Sequence, residues 1–328
     1  MIVTVALLVL KGGLALAWET DQLTDRGASL GDATAAGNAR MDALLDRAAA
    51  QSNQRLGRHA SPERVAAAVA RSVRHQTAAR TPVSGRGALR AMGYGTFSAW
   101  LETADIPRQA FLERTDVYAG IPFVTAPILA AAGTCSTVNL GGVRMGTDKV
   151  DHFLSTGFRY WNRARHASDE AAVRFGTRTE RTYLGLQSSD AFSFADLHAN
   201  WRGQAFYASL LDPDIGLFAW KDGQVERVRD FEWRQWADWR WDELLDPNVY
   251  TRGVQRWLDQ TVPERLDTLC AGVESWGPEV ELAHATIASE AAPWVDHTAP
   301  AHIDPFDLPE RCLARAATGG DAPAQIPP

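Results

Sequence analysis

The chain has 328 residues, a formal net charge of -7 and 45% hydrophobic residues, an ordinary composition for a soluble globular protein. This composition excludes a wholly disordered chain, the acidic balance argues against general nucleic-acid binding, and a mean hydropathy of -0.23 argues against several membrane spans. The unusual count is 12 tryptophans, which composition alone assigns neither to a core nor to a binding surface.

The first 17 residues form an apolar run that only Thr4 and Lys11 interrupt. The run is shorter than the ~20 apolar residues that a membrane-spanning helix needs. Its last three residues, Ala-Leu-Ala at 15–17, have the small-x-small pattern of a signal-peptidase site. We therefore predict a cleaved signal peptide over residues 1–17 and a periplasmic or secreted protein. A buried helix or an uncleaved anchor is the alternative.

The three cysteines are Cys135, Cys270 and Cys312, and an exported protein would hold them in an oxidising compartment. An odd number leaves one thiol over if a single disulfide forms. Cys270 and Cys312 flank a segment rich in Pro and Ala with little helical pattern. We predict that a disulfide between them staples this segment.

Helical patterns alternate with turn signals along most of the chain. They predict a mainly α protein with a single helical domain over residues 32–275 and an aromatic-rich core. An extended segment over residues 18–31 precedes this domain. An irregular segment over 276–313 and a disordered tail over 314–328 follow it.

The first predicted helix lies in residues 32–55, where apolar residues recur at helical spacing. Ser61 followed by Pro62 is typical of the first turn of a second helix. Residues 78–94 are rich in Gly, Pro, Ser and Arg and predict a loop, and a short helix follows at about 94–103.

Two further segments carry clear patterns. Residues 117–135 are the most apolar internal stretch, and their prolines favour buried core over a membrane span. Two short runs around Asp222-Gly223 predict a small β-hairpin near residues 217–228.

Polar residues recur at a spacing of four in two separate predicted helices. Asp148 and His152 form the first pair, and Asp196 and Asn200 form the second. A spacing of four places both members on one helix face. Glu180 lies between the two pairs, on another predicted helix.

The order of these residues resembles that of VanZ-like proteins and of predicted periplasmic lipoproteins of unknown function. The matching positions are Asp148, Lys149, His152, Phe153, Glu180, Asp196, Asn200 and Gly203. The resemblance covers about residues 146–205, a segment too polar to span a bilayer, whereas VanZ-like proteins are integral membrane proteins. The segments Trp-Glu-Thr-Asp-Gln at 18–22 and Trp-Asp-Glu at 241–243 are similar to those of other exported bacterial proteins. The resemblance implies a site and assigns no reaction.

As a catalytic site, His152 would act as general base or metal ligand, and Asp148 would orient it. Glu180 and Asp196 would supply the second carboxylate, and Asn200 would position substrate or stabilise developing charge. One histidine with several carboxylates suits Mg²⁺ or Mn²⁺, so a divalent metal is a candidate cofactor.

The same residues also have a structural interpretation. Ser193 and Asp196 form the Ser-x-x-Asp pattern of a capping box, and Asp148 follows a predicted helix start, where an anion is favoured. His152 and Asn200 could connect packed helices. The pattern therefore leaves two alternatives open, a catalytic site and a lock between helices.

Four tryptophans are concentrated in the nine residues 233–241, together with Arg234 and Arg240. A packed helix in the core is the favoured interpretation. Ring stacking against a glycan and contact with a membrane interface are the alternatives.

We thus expect an exported cell-envelope protein, with a hydrolase or transferase acting on envelope lipid or glycan as the first hypothesis. The rival is a non-catalytic structural or interaction protein. The chain contains no Gly-x-Ser-x-Gly, His-Glu-x-x-His, P-loop or dinucleotide fingerprint, so it leaves the reaction unassigned. No nucleic-acid partner is expected.

Overall fold

A computed structural model describes five parts of the chain: residues 19–79, 95–110, 116–187, 189–297 and 308–317. The predicted signal peptide lies outside the described residues. So do most of the predicted loop over 78–94 and the end of the predicted tail, residues 318–328.

The described residues are mainly helical, as predicted. The α-helices are α1 (Thr34–Arg55), α2 (Pro62–Ala78), α3 (Thr96–Thr103), α4 (Pro127–Ala132), α5 (Thr147–Asp151), α6 (Gly157–His166), α7 (Asp169–Glu180), α8 (Phe194–Ser209), α9 (Trp233–Trp236), α10 (Arg252–Thr261), α11 (Leu266–Leu269), α12 (Val273–Ser289) and α13 (Leu308–Ala317). A π-helical turn (His152–Thr156) joins α5 to α6, and 3-10 turns cover Trp239–Trp241 and Pro263–Arg265.

Short strands pair only in twos within the described parts of the chain. They are β1 (Thr137–Leu140), β2 (Val143–Gly146), β3 (Ala191–Phe192), β4 (Phe218–Lys221), β5 (Gln224–Arg227) and β6 (Val249–Tyr250). All three pairs, β1–β2, β3–β6 and β4–β5, are antiparallel.

The start of α2 and the β4–β5 hairpin follow the local signals in the sequence. Ser61 is the N-cap, and its side chain accepts a hydrogen bond from the Arg64 backbone N–H. Lys221 pairs with Gln224, which leaves Asp222 and Gly223 as a two-residue turn with positive φ at both positions. The predicted helix start and the predicted hairpin are confirmed.

The first hydrophobic cluster of the core, which spans residues 33 to 241, is rich in aromatic side chains. Trp233 and Trp241 are fully buried, and the ring of Phe153 lies 5.7 Å from the first and 5.4 Å from the second. Phe206 packs beside them, with its ring 5.1 Å from that of Phe153. The tryptophan-rich stretch therefore belongs to the core, as favoured by the sequence.

The stretch is not one continuous helix, however. Its helix α9 ends at Trp236, and a 3-10 turn begins at Trp239. Between them Asp238 is extended, and its carboxylate accepts the Arg240 backbone N–H. This local cap interrupts the helix between the first two tryptophans and the last two.

The apolar stretch over residues 117–135 is only partly core. Tyr118 and Ile121 are buried, but Phe123 is 50% exposed and Val124 is 91% exposed. The chain turns here, since the Thr125 N–H bonds to the Pro122 carbonyl. The prediction that the whole stretch is buried is wrong, because its prolines break it into turns.

The prediction of an irregular segment over 276–313 is also wrong for a large part of its length. Helix α12 continues to Ser289 with Pro278 inside it, and it buries Trp276, Val280 and Ala283. Burial of this face stabilises the helix although the proline lacks a backbone donor. Helix α13 likewise runs three residues beyond residue 314, where the tail was predicted to begin.

The predicted disulfide joins Cys270 to Cys312. It ties α13 to the chain just before α12, and both cysteines lie in a second hydrophobic cluster with Trp276 and Leu258. Cys135 is not part of the disulfide and is buried.

Candidate functional site

Two glycines bring the helices of the predicted site into close contact. Helix α8 packs against the π-helical turn and α6. A Cβ atom on Gly203 would lie 2.1 Å from the Phe153 carbonyl oxygen, and one on Gly157 would lie 2.5 Å from the Gly203 Cα. Only residues without a Cβ atom allow so close an approach of the two helices.

This crossing places His152 against the second polar pair. Its Nε2 lies 3.2 Å from Asp196 Oδ2, and its Nδ1 lies 3.1 Å from Asn200 Oδ1. The expectation that Asp148 orients His152 is wrong. Both partners of the imidazole, Asp196 and Asn200, lie four residues apart on the face of α8 that packs against it.

Asp148 has partners elsewhere. Its Oδ1 accepts a hydrogen bond of 2.9 Å from the Thr20 hydroxyl, and its Oδ2 lies 2.7 Å from Lys149 Nζ. Thr20 belongs to the buried segment before α1, which crosses the site without forming a helix. Asp148 is therefore bound by the lysine that follows it in sequence and not by the histidine one turn away.

Lys149 lies at the centre of the site and is fully buried. Its ammonium is 2.6 Å from Asp196 Oδ1 and also contacts Glu243 Oε1. With Asp148, three carboxylates surround its three N–H donors. A buried ammonium is tolerated only when it is paired in this way. The predicted catalytic set included neither Lys149 nor Glu243.

Glu180 joins the site through the N-terminus of α8. Its Oε1 accepts the Ser193 backbone N–H at 3.3 Å, and Ser193 Oγ accepts the Asp196 backbone N–H at 3.2 Å. In a complete capping box, the Asp196 side chain would itself bond to the Ser193 N–H. Glu180 takes that place, so Asp196 is left to bind Lys149 and His152.

A fifth carboxyl group comes from the segment before α1. Glu19 is buried, and its Oε2 accepts a hydrogen bond of 2.6 Å from Asn248 Nδ2. The residues gathered here, which we call the central polar cluster, are Glu19, Asp148, Lys149, His152, Glu180, Asp196, Asn200 and Glu243. The structure thus brings together all five predicted site residues and adds three.

Burial controls the ionisation of the cluster. It raises the pKa of Glu19 and of Glu180 well above the ordinary value, with neighbouring carboxylates adding to the effect. Burial also raises the pKa of Glu243 to about 7, although Lys149 opposes the shift. For Lys149, burial lowers the pKa, but Asp148 and the other carboxylates outweigh it and raise the pKa well above its usual range. The cluster therefore holds an ammonium among carboxyl groups, several of which burial shifts toward the protonated form.

The carboxylates of the cluster also form the best candidate for a metal site. Asp148, Asp196 and Glu243 each offer an oxygen, and the three oxygens lie within 4.8 Å of one another. Lys149 Nζ is bonded to these same three side chains. The donor set does not fit a divalent metal while the lysine occupies it, so we derive no step through a metal.

One face of the cluster borders a cavity of about 50 Å³. Glu243, Asn248 and Thr20 line it together with Tyr118 and Tyr250, whose hydroxyls are 2.5 Å apart. Its apolar walls are Leu23, Val117, Leu244, Pro247, Leu258 and Pro309. Within the described chain, Glu243 Oε2 and Asn248 Oδ1 are buried and accept no hydrogen bond. Both residues line the cavity, and each holds an acceptor atom without a hydrogen bond among the described residues.

A continuous chain of contacts connects His152 with this cavity. It runs from His152 to Asp196, then through the Lys149 ammonium to Glu243. At neutral pH, a carboxyl group with a pKa of about 7 is present in both protonation states. Such a group can accept and donate a proton in one reaction cycle.

The chain matches no family model, no curated protein and no solved structure. Among the helices that the structure describes, none is long and apolar enough to cross a membrane. The chemistry of the cluster and its cavity is therefore the basis for a functional proposal.

Proposed function

We propose that this protein is an exported cell-envelope hydrolase or transferase that acts on an envelope lipid or glycan by general acid–base catalysis in the central polar cluster. The observation that carries the proposal is the chain of ionisable side chains that ends on Glu243 at a cavity. Export rests on the apolar segment over residues 1–17 and its small-x-small end.

The cost of the cluster supports a catalytic role. Apolar residues of similar volume in place of a buried ion-pair network are often neutral or stabilising. Five carboxyl groups around one ammonium are therefore not expected to stabilise the fold more than apolar side chains of the same volume would. Perturbed pKa values beside a cavity are typical of sites where acids and bases act.

In the proposed reaction, Glu243 is the group that meets the reacting atoms. Its Oε2 accepts a proton from a water or an acceptor hydroxyl as that oxygen forms a bond to the substrate. The same carboxyl group then returns the proton to the leaving oxygen as the old bond breaks, so that protons balance over the cycle. Lys149 keeps its charge and stabilises the carboxylate, while His152 and Asn200 position Asp196.

Substitution of Glu243 tests the proposal. Glu243→Gln keeps the shape of the side chain and removes its acid–base function. We expect the wild-type protein to release products from purified envelope lipid or glycan, followed by mass spectrometry, and the variant to lose about a hundredfold or more in rate. Asp246→Asn is the matched control, because Asp246 is also a buried acid with a pKa near 7 but does not line the cavity. Equal rates in both variants would contradict the proposal.

The second candidate is a non-catalytic envelope protein in which the cluster locks the helices together. The observation in its favour is that His152, Asp196 and Glu180 are buried and do not line the cavity. His152→Ala separates the two candidates. Both candidates lose stability in this variant, because Asp196 and Asn200 each lose a buried partner, but only the enzyme also has an activity to lose.

A further inference from the structure

An open groove of about 510 Å³ lies on the surface of α6 and α7. Its polar lining comes from Arg159, Asn162, Arg163 and His166 of α6, and none of its lining residues is acidic. This concentration of positive charge stands out in a chain with a net charge of -7. The groove shares no lining residue with the cavity at Glu243.

Aromatic rings hold the arginines around this groove. The Arg163 guanidinium lies 4.3 Å from the centre of the Phe175 ring, and that of Arg74 lies 5.5 Å from the centre of the Phe158 ring. Stacking uses the face of a guanidinium and leaves the N–H donors on its edge available. The buried Nε of Arg74 accordingly has no acceptor within the described residues.

Several arginines elsewhere in the molecule form ion pairs with carboxylates. Arg26 lies 2.6 Å from Asp242, and Arg227 lies 2.7 Å from Asp42. In the part of the chain that the structure describes, no such ion pair is formed by Arg159 or Arg163. The charge of the groove is therefore available to a ligand.

We propose that this groove binds the phosphate group of an anionic ligand. Arg159 and Arg163 lie four residues apart on one helix face, so both guanidinium groups can donate to one phosphate. Asn162 adds a neutral donor, and the rings of Phe158 and Phe175 offer apolar surface to the remainder of the ligand. A lipid headgroup and a soluble phosphate ester both carry this chemistry. The inference does not depend on the catalytic role of the cluster.

A paired set of variants tests the groove with the full chain. Arg159→Gln/Arg163→Gln removes two charges from the groove. Arg252→Gln/Arg256→Gln removes the same charge from two exposed arginines with the same spacing on α10. Binding is measured by sedimentation with phosphatidylcholine vesicles, with and without phosphatidylglycerol, and by calorimetry with inorganic phosphate and glycerol phosphate. We expect the groove variant to bind about tenfold or more weakly and the α10 variant to bind like the wild-type protein.

The two arms distinguish the sources of phosphate. Binding to the anionic vesicles alone assigns the groove to a lipid headgroup, and binding to the soluble phosphates assigns it to a free ester. Two results overturn the proposal: equal weakening in both double variants, or equal binding to vesicles with and without phosphatidylglycerol together with no binding of the soluble phosphates. Arg163→Lys keeps the charge and loses the planar fork, so a loss of affinity in this variant gives the same answer if the double variant folds poorly.

Discussion

Lys149 holds the carboxylates of the central polar cluster together. Its ammonium is fully buried and bonded to Asp148, Asp196 and Glu243. A buried charge that loses its partner is more costly than the pair was favourable, because the group that remains is desolvated and uncompensated. The lysine therefore controls the stability of the central polar cluster.

Lys149→Met is expected to reduce the free energy of unfolding by about 3–5 kcal/mol, because three carboxylates lose their counter-charge. Urea denaturation at neutral pH measures the loss. Lys221→Met is the control, because the ion pair that Lys221 forms with Glu226 is exposed and long, at 4.0 Å. This variant should change the free energy of unfolding by less than about 1 kcal/mol. A similar small loss in both variants would show that the ammonium does not balance the carboxylates.

Asp246 gives a prediction about pH. Burial raises its pKa from 3.8 to about 7, with Arg240 opposing the shift. The folded state thus binds a proton more tightly than the unfolded state does, and the stability this provides is lost as pH rises from about 4 through about 7. Asp246→Asn should remove this slope and be more stable than the wild-type protein at about pH 8, by at most about 4 kcal/mol.

The measurement is urea denaturation at several pH values between about 5 and 8. Asp267→Asn serves as the control, since the Asp267 side chain is 85% exposed. If Asp246→Asn keeps the full pH dependence of the wild-type protein, the burial of this carboxyl group is not its cause. Glu243, with its pKa of about 7, adds a slope of the same sign.

At the scale of elements, the sequence predicted correctly those features that depend on interactions between neighbouring residues. The Ser61 cap and the Asp222-Gly223 turn act within a few residues, and both formed as expected. Helix α12 was missed because burial of Trp276 and Val280 against distant residues stabilises a helix that contains a proline. Val273, Trp276, Val280 and Ala283 do recur at helical spacing, so the sequence carried a local sign of this helix despite the proline.

The candidate site shows the same contrast between contacts that local spacing predicts and contacts that depend on tertiary packing. The four-residue spacing of Asp196 and Asn200 predicted one shared face, and His152 lies against it. Glu19 and Glu243 were missed as site residues, because each reaches the cluster from a segment far away in sequence. Both positions fall in segments for which we expect a resemblance to exported bacterial proteins, and that resemblance stays a prediction.

The glycine crossing between α6 and α8 can be tested directly. Gly203→Ala places a methyl group 2.1 Å from the Phe153 carbonyl oxygen, so the two helices must separate. We expect a loss of about 1–3 kcal/mol or more in the free energy of unfolding, and a displaced Asp196–His152 contact. Gly253→Ala is the control, because its new Cβ meets nothing closer than 3.5 Å and alanine favours the helix. Equal stability in the two variants would mean that the helices do not need this close approach.

At the scale of the whole molecule, the cluster connects parts of the chain that lie far apart in sequence. Its residues come from the segment before α1, from α5 and the π-helical turn, from α7 and α8, and from the chain after α9. The cavity beside it adds Pro309 of α13, which is three residues before Cys312. The disulfide therefore fixes a wall of the cavity as well as a helix of the second hydrophobic cluster.

Removing the disulfide should affect both stability and the cavity. Cys270 and Cys312 are 42 residues apart in sequence, and closing a loop of this length corresponds to about 4 kcal/mol of unfolded-state entropy. We expect Cys312→Ser to lose about 2–4 kcal/mol in urea denaturation, and a reductant to lower the wild-type protein to the same stability. Cys135→Ser should respond to the reductant as the wild-type protein does, since Cys135 is outside the disulfide. If the reductant leaves the wild-type protein unchanged while Cys312→Ser is destabilised, the loss belongs to the buried Cys312 side chain and not to the covalent link between α13 and the rest of the fold.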